Sequence, residues 1–194
     1  MPTIKEQFLE AYNNITRAGS REFLAWLEST DFFTAPASTR FHLSREGGLA
    51  EHSLHVFQRL RELCDAEMGR DPMFAVSAES IAIIGLLHDV CKTNFYKIDF
   101  RNAKNAAGVW EKVPYYTVGD DFPMGHGEKS LYLISRYMKL TDEEAMAIRW
   151  HMGFSDNTFR GGDQSVGNAF DKYPLAVFAH VADVLAAHVD EAKS

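Results

Sequence analysis

Apolar residues recur at helical spacing along most of the chain, and this pattern predicts a mostly helical protein. Ile4, Phe8, Tyr12 and Ile15 are spaced three or four apart, as on one face of a helix. The predicted helices occupy residues 3–18, 21–28 after a Ser20 cap, 49–68 ended by Gly69, and 77 to about 92, then segments opening at His126 and at Thr141, and a last helix after Pro174.

Two segments depart from the amphipathic pattern. Residues 81–87 are apolar all round, which is typical of a buried helix. Residues 95–118 contain two β-prone runs around a turn-like stretch at 102–108, and they predict an inserted β-hairpin. Pro114 would place its strand at an edge. Residues 153–170 are polar and predict a loop.

Composition narrows the functional classes. A chain of 194 residues with 46% hydrophobic residues suits one domain with a substantial core. The net charge of -7 argues against a broad nucleic-acid or anionic-membrane surface, and the sequence contains no basic track for a long polymer. It is still compatible with a local basic pocket. We expect a cytoplasmic protein for three reasons. The two cysteines form no CxxC pair, the N-terminus does not resemble a signal sequence, and no apolar run is long enough to span a membrane.

His88 and Asp89 stand at the end of the buried helix. An ionised carboxylate is costly to bury without a partner, so either the helix surfaces at His88 or a cation binds there. A His-Asp pair alone is also common at an ordinary surface helix end. Other ligand-type residues at helical positions therefore decide between the two readings.

Four further residues fit such a set, although each has an ordinary alternative as a core or loop side chain. His52 lies in the apolar stripe of its helix, and Asp183 lies among apolar residues of the last helix. His126 opens a helix between two glycines, and His151 shares a helix face with Ile148. Together with His88 and Asp89 they exceed the ligands of one tetrahedral zinc, and they suit one octahedral ion or two ions bridged by Asp89.

These residues, in this order, resemble the HD-domain metal-dependent phosphohydrolase superfamily over about residues 42–190. The motifs are Gly47-Gly48-Leu49-Ala50-Glu51-His52, Leu86-Leu87-His88-Asp89-Val90-Cys91-Lys92, Gly125-His126-Gly127-Glu128, Arg149-Trp150-His151 and His180-Val181-Ala182-Asp183. The entry glycines are more loosely similar to the HD domain of bacterial exoribonucleases and to phage-encoded hydrolases. Many members have Gly where this chain has Cys91, which we expect to pack as a small core residue.

The resemblance implies an all-α HD-domain bundle with the hairpin as an insertion. It implies a single domain over residues 1–194, in which the helices of residues 1–40 pack on a metal-binding core at 42–190. One metal would take His52, His88, Asp89 and Asp183, and the second Asp89, His126 and His151. One or two divalent ions are expected, chosen from Mn, Fe, Ni, Mg and Zn.

The implied activity is hydrolysis of a phosphomonoester or phosphodiester, of a nucleotide above all, by a metal-activated hydroxide. Asp89 and Lys92 are the catalytic candidates. Lys92, Arg45, His42 and Arg160 are candidates to bind phosphate or a base, although solvated loop charges explain the last three equally well. The alternatives are a nucleic-acid 3′ end as substrate, a di-iron oxygenase on the same scaffold, and a non-catalytic metal-binding regulatory module.

Overall fold

A computed structural model describes residues 2–192, and within that range the predicted helical fold with one inserted hairpin is confirmed. The α-helices are α1 (Ile4–Tyr12), α2 (Ser20–Glu28), α3 (Gly48–Arg70), α4 (Ala78–Leu87), α5 (His126–Ser135), α6 (Asp142–Arg149), α7 (Asn157–Arg160), α8 (Ser165–Lys172) and α9 (Pro174–Leu185). The strands are β1 (Tyr96–Lys104) and β2 (Trp110–Val118).

The core is built around α4, whose residues from Ile81 to Leu87 are all buried. Because α4 is apolar on every side, it can be covered all round, and α3 lies against it. A Cβ on Gly85 would stand 2.5 Å from the Cα of Phe57, so glycine is required where the two helices cross. This close crossing sets the separation of the two helices. His52 lies on α3, and His88 directly follows α4.

Helix caps agree with the sequence at two starts. Thr141 and Glu144 form a reciprocal capping box at α6, and the Ser77 hydroxyl accepts from the Ser80 N–H at α4. At α2 the predicted cap is wrong: Ser20 is the first helical residue, and Gly19 precedes it without a side-chain cap. Gly69 lies inside α3 instead of ending it.

The hairpin pairs β1 with β2 in antiparallel register, with Tyr96 opposite Val118 and Lys104 opposite Trp110. Its turn is shorter than the predicted stretch at 102–108, because β1 continues through Lys104. The Asn105 side chain accepts from the N–H groups of Ala107 and Val109, which closes the turn locally.

Two further boundaries differ from the sequence pattern. The α-helix of α4 ends at Leu87, and a 3₁₀ turn follows at Val90–Lys92. The predicted loop at 153–170 contains α7 and the start of α8, because Val166 and Ala169 bury themselves against Trp150 in a second small cluster. Val166 and Ala169 lie within the predicted loop and Trp150 lies just before it, so their burial depends on the chain folding back on itself, which the polar composition of the segment does not reveal.

Candidate metal centre

Asp89 occupies the middle of a buried cluster of imidazole and carboxylate groups. His88 caps α4, Asp89 follows it, and both side chains are about 2% exposed or less. The His88 Nδ1–H donates to the Gly85 carbonyl at 2.9 Å, so that the lone pair of Nε2 points into the cluster. The helix end is therefore not a solvent-exposed one.

The Oδ2 atom of Asp89 faces one group of ligand-type atoms. It lies 3.6 Å from His52 Nε2 and 3.7 Å from His88 Nε2. Asp183 Oδ1, from α9, stands 3.2 Å from the same His52 nitrogen. His52, His88 and Asp183 each offer one atom, and these three atoms lie within 4.8 Å of one another.

The Oδ1 atom of the same carboxylate faces a second group. It lies 2.8 Å from His126 Nε2 and 3.6 Å from His151 Nε2, and these two nitrogens are 3.1 Å apart. The His151 Nδ1–H donates to the Ile148 carbonyl at 2.7 Å, which repeats the arrangement at His88. The six residues predicted from the sequence are thus brought together, with Asp89 between two groups.

The second group forms where α5 approaches the end of α6. A Cβ on Gly127 would stand 2.1 Å from the Arg149 carbonyl oxygen, so only glycine permits this approach. The sequence pattern placed His151 on the face of α6, whereas it stands two residues beyond the last helical residue. The turn after α6 directs the ring towards His126.

A carboxylate outside the predicted set orients His52. Glu191, 2% exposed, accepts from His52 Nδ1 at 3.0 Å and from His55 Nδ1 at 2.8 Å. The His52 Nε2 atom is thereby left to face Asp89 and Asp183. Nothing in the sequence distinguishes Glu191 from other acidic residues near the end of the chain, because its partner lies 139 positions earlier.

The donor chemistry of both groups fits a cation. Burial disfavours a charged ring at His52, but Asp183 and Glu191 outweigh it and raise the pKa to about 9. Burial also disfavours a charged ring at His126, but the Cys91 sulfur and Asp89 outweigh it and raise the His126 pKa to about 10. Each group therefore attracts one positive charge, which a proton or a metal ion can supply.

The remaining ring is suited to a neutral ligand role. Burial lowers the pKa of His88 to about 3, so its imidazole is neutral at pH 7. With Nδ1–H bonded to a carbonyl, the neutral ring presents only a lone pair to the cluster. A lone pair 3.4 Å from His52 Nε2 and 3.7 Å from a carboxylate oxygen is satisfied by an electron-pair acceptor, such as a divalent cation.

Cys91 is buried, and its thiol lies beside the second group. Its Sγ atom is 3.3 Å from His126 Nδ1 and 3.9 Å from Asp89 Oδ1. Its backbone N–H donates to the Ser130 hydroxyl, which ties the turn after α4 to α5. The thiol therefore contacts a predicted ligand in addition to filling core space.

A cavity of about 240 Å³ opens onto this cluster. Asp89, His126 and Asp183 reach its wall, together with Lys92 and His42. Lys92 Nζ lies 2.6 Å from Asp89 Oδ2; burial opposes its charge, but Asp89 outweighs burial and raises the Lys92 pKa. The cavity thus holds a fixed ammonium group beside the candidate ligands.

The other predicted substrate contacts are placed differently. Arg160 lines a neighbouring cavity that shares His126 with the first one. Arg45 is on the surface in an ion pair with Glu51 at 2.7 Å, and it lines neither cavity. His180, which begins the motif ending at Asp183 but was given no role of its own, lines the first cavity and contacts the His151 carbonyl oxygen at 2.8 Å.

Comparison with known families gives one match: the family model of the HD domain aligns with residues 49–188. The matched range starts within α3, ends after α9 and contains all six predicted ligands as well as the hairpin. Neither the curated proteins nor the solved structures gave a match. In the described part of the chain, no helix combines the length and apolar character needed to cross a bilayer.

Proposed function

The chain belongs to the HD-domain family, and from this membership and the buried cluster we propose that it hydrolyses a phosphoester of a nucleotide. HD domains form a superfamily of metal-dependent phosphohydrolases, which gives the reaction class. The observation that carries the proposal is the position of Asp89, whose two oxygens face two separate groups of ligand-type atoms.

Asp89 would be a ligand in each of two divalent-metal sites. His52, His88, Asp89 and Asp183 would form the first, and Asp89, His126 and His151 the second. Bound divalent cations polarise phosphoryl oxygens and activate a water molecule for attack on phosphorus. The chain's own contribution is to fix the ligand rings, through the Gly85 and Ile148 carbonyls and through Glu191.

Lys92 and His42 are the substrate contacts that the cavity supports. Lys92 is charged and held by Asp89, so it can donate to a phosphoryl oxygen without a large rearrangement. The His42 Nε2 atom has no hydrogen-bond partner among the described residues, although it lies 4.0 Å from Glu191 Oε2. Burial and the neighbouring His52 and Lys92 lower the His42 pKa, so a neutral ring faces the substrate.

We place the rest of the nucleotide in the cavity that adjoins the first one. The adjoining cavity of about 390 Å³ shares its His126 wall and carries Arg160. We assign Arg160 to the sugar or base side of the substrate. Arg45 would have to exchange Glu51 for substrate, so its contribution requires breaking that exposed ion pair.

Metal content and phosphoester hydrolysis, measured on one preparation, test the proposal. Protein purified without a histidine tag or chelator should hold about two transition-metal ions per chain. It should cleave p-nitrophenyl phosphate, bis(p-nitrophenyl) phosphate or a nucleoside phosphate, and a chelator should abolish the reaction until manganese is restored.

Three results would reject the proposed function. No bound metal after reconstitution with manganese, iron or nickel would return His88 and Asp89 to a structural role. Bound iron with oxygen consumption and no phosphoester cleavage would assign the oxygenase chemistry instead. A metal-loaded protein inactive in both assays would indicate the regulatory module.

A further inference from the structure

The hairpin differs in charge from the rest of this acidic protein. Residues 96–118 contain four basic and two acidic residues, whereas the remainder contains sixteen basic and twenty-five acidic ones. Both acids are engaged locally: Asp99 accepts from the Tyr115 hydroxyl at 3.3 Å, and Glu111 accepts from the Asn105 amide at 3.3 Å. The hairpin is therefore a local region of positive charge.

Large rings on and beside the hairpin remain exposed, next to cations. Phe41, Phe100 and Trp110 are 60–71% exposed. Lys104 Nζ lies 5.3 Å from the Trp110 ring centre, and the Arg40 guanidinium lies 5.0 Å from that of Phe41. Such pairs offer a planar surface for stacking beside a charge for phosphate.

A groove of about 410 Å³ runs between the hairpin and the loop before α3. Arg40 and Arg101 both line it, with the Tyr115 and Tyr116 rings. Within residues 2–192 neither arginine has a carboxylate within ion-pairing distance, and Arg101 instead stacks 5.5 Å from the Tyr115 ring centre. Unlike Arg45, these two guanidinium groups are available to an anionic ligand.

The groove and the cavity of about 240 Å³ at the candidate metal centre, here called the metal cavity, share one loop. Thr39, Arg40 and Ser44 line the groove, and His42 from the same loop lines the metal cavity. At the base of the hairpin, the Tyr96 hydroxyl donates to the Ala37 carbonyl at 3.1 Å. The same loop therefore contributes residues to the groove and to the cavity that holds Lys92 and Asp89.

We infer that this groove and the exposed hairpin bind single-stranded nucleic acid. Its bases would stack on the exposed rings, and its phosphates would pair with Arg40, Arg101 and Lys104. Phosphodiester charge and planar bases match both features of the surface, which a small phosphate ester would leave unused. That the strand's end enters the metal cavity as the hydrolysed group rests on the proposed function.

Fluorescence anisotropy with full-length protein and a labelled phosphorothioate single strand of about twelve nucleotides tests the inference. The phosphorothioate resists hydrolysis, so binding is measured apart from cleavage. Arg40→Gln and Arg101→Gln should each weaken binding about tenfold and reduce its salt dependence by about one unit of slope. Trp110→Ala should also weaken it about tenfold.

Arg21→Gln is the matched control, because it removes the same charge from an exposed position on α2. Binding weakened equally by Arg21→Gln would show a general charge effect and overturn the inference. A mononucleotide that competes as well as the single strand would also overturn it. A dimer seen by light scattering would also overturn the inference if Trp110→Ala dissociated it without changing nucleic-acid binding. The hairpin would then be a self-association surface.

The two proposals fail separately. Hydrolysis of bis(p-nitrophenyl) phosphate by the wild-type protein without binding of the single strand would reject the nucleic-acid surface alone. Binding of the single strand with the expected loss in the groove variants, but no phosphoester hydrolysis, would uphold the surface and reject the proposed function.

Discussion

The candidate metal centre and the hairpin are both rich in charged groups, but they are built in opposite ways. The centre collects ligand-type side chains from segments spread between His52 and Asp183 and buries most of them. The hairpin takes its residues from one continuous stretch, 96–118, and leaves many exposed. A buried charge must be compensated within the fold or by a ligand, whereas an exposed one is solvated by water.

This difference predicts what substitutions will cost. In the centre, a change alters the charge balance of several neighbours at once, so metal binding and activity should fall together. At an exposed position of the hairpin, a change removes few contacts within the chain, so folding stability should hardly change.

The largest effect is expected for Asp89→Asn. The amide keeps the shape but removes the charge shared by both groups, so phosphoester hydrolysis should fall at least about a thousandfold, or about 4 kcal/mol in the activation free energy. Hydrolysis rates and elemental analysis measure the effect, and circular dichroism checks the fold. Asp65→Asn, at an exposed position of α3, is the control. An active Asp89→Asn protein with wild-type metal content would refute a shared carboxylate.

A second buried charge cluster, compensated by the chain itself, sharpens the comparison. Arg17 contacts the fully buried Glu144 at 2.6 Å and Glu79 at 3.1 Å. Arg17→Met should lower the free energy of unfolding by about 3 kcal/mol at pH 7, because it leaves a buried carboxylate without its cation. Urea denaturation measures this, with Arg21→Met as the exposed control.

The same cluster predicts a pH dependence of stability. Burial raises the Glu144 pKa, but hydrogen bonds from Arg17, Thr141 and Ser80 outweigh burial, and the pKa lies below its usual range. A depressed folded-state pKa gives stability that is present above the unfolded value of about 4.3 and is lost as pH falls through the folded value. Lowering the pH from 7 to about 4 should therefore reduce the free energy of unfolding of the wild-type protein more than that of Arg17→Met. Urea denaturation at both pH values measures the two losses, and equal losses would contradict the assignment.

A smaller effect is expected for Glu191→Leu, which removes the acceptor that orients His52. Metal affinity should fall about 10- to 100-fold, as for other groups that hold a ligand ring in place. Competition with a chelator measures it. Glu191→Gln keeps an acceptor oxygen and should recover part of the affinity, while Asp190→Asn changes only the neighbouring ion pair with Arg59. Equal affinity in Glu191→Leu and wild type would show that packing alone positions the ring.

The smallest effect is expected in the hairpin. Ile98 is 62% exposed, so Ile98→Ala should change the free energy of unfolding by less than about 0.5 kcal/mol. The same substitution at the fully buried Ile84 of α4 should cost about 2–5 kcal/mol. Urea denaturation of both variants makes the comparison. A large loss for Ile98→Ala would mean that the hairpin is covered in solution.

Much of the fold follows from local patterns. The all-apolar run at 81–87 specifies a buried helix, and the Thr141 and Glu144 pair marks the start of α6 within four residues. The hairpin is readable because its alternating residues and turn lie side by side in the chain. Five of the six candidate ligands could be proposed because polar residues within or at the end of apolar helices need a partner wherever they pack. His126 was proposed instead from its place at a helix start between two glycines.

Only the tertiary structure decided which groups meet. It assigned the two oxygens of Asp89 to different groups, placed Glu191 behind His52, and paired Arg45 with Glu51 while leaving Arg40 and Arg101 beside the hairpin groove. It also turned part of a polar stretch into α8 by packing Val166 against Trp150. Local patterns specify helices, turns and burial because those depend on neighbouring residues. Distances between residues far apart in sequence depend on how all the helices pack together, and no single segment encodes that.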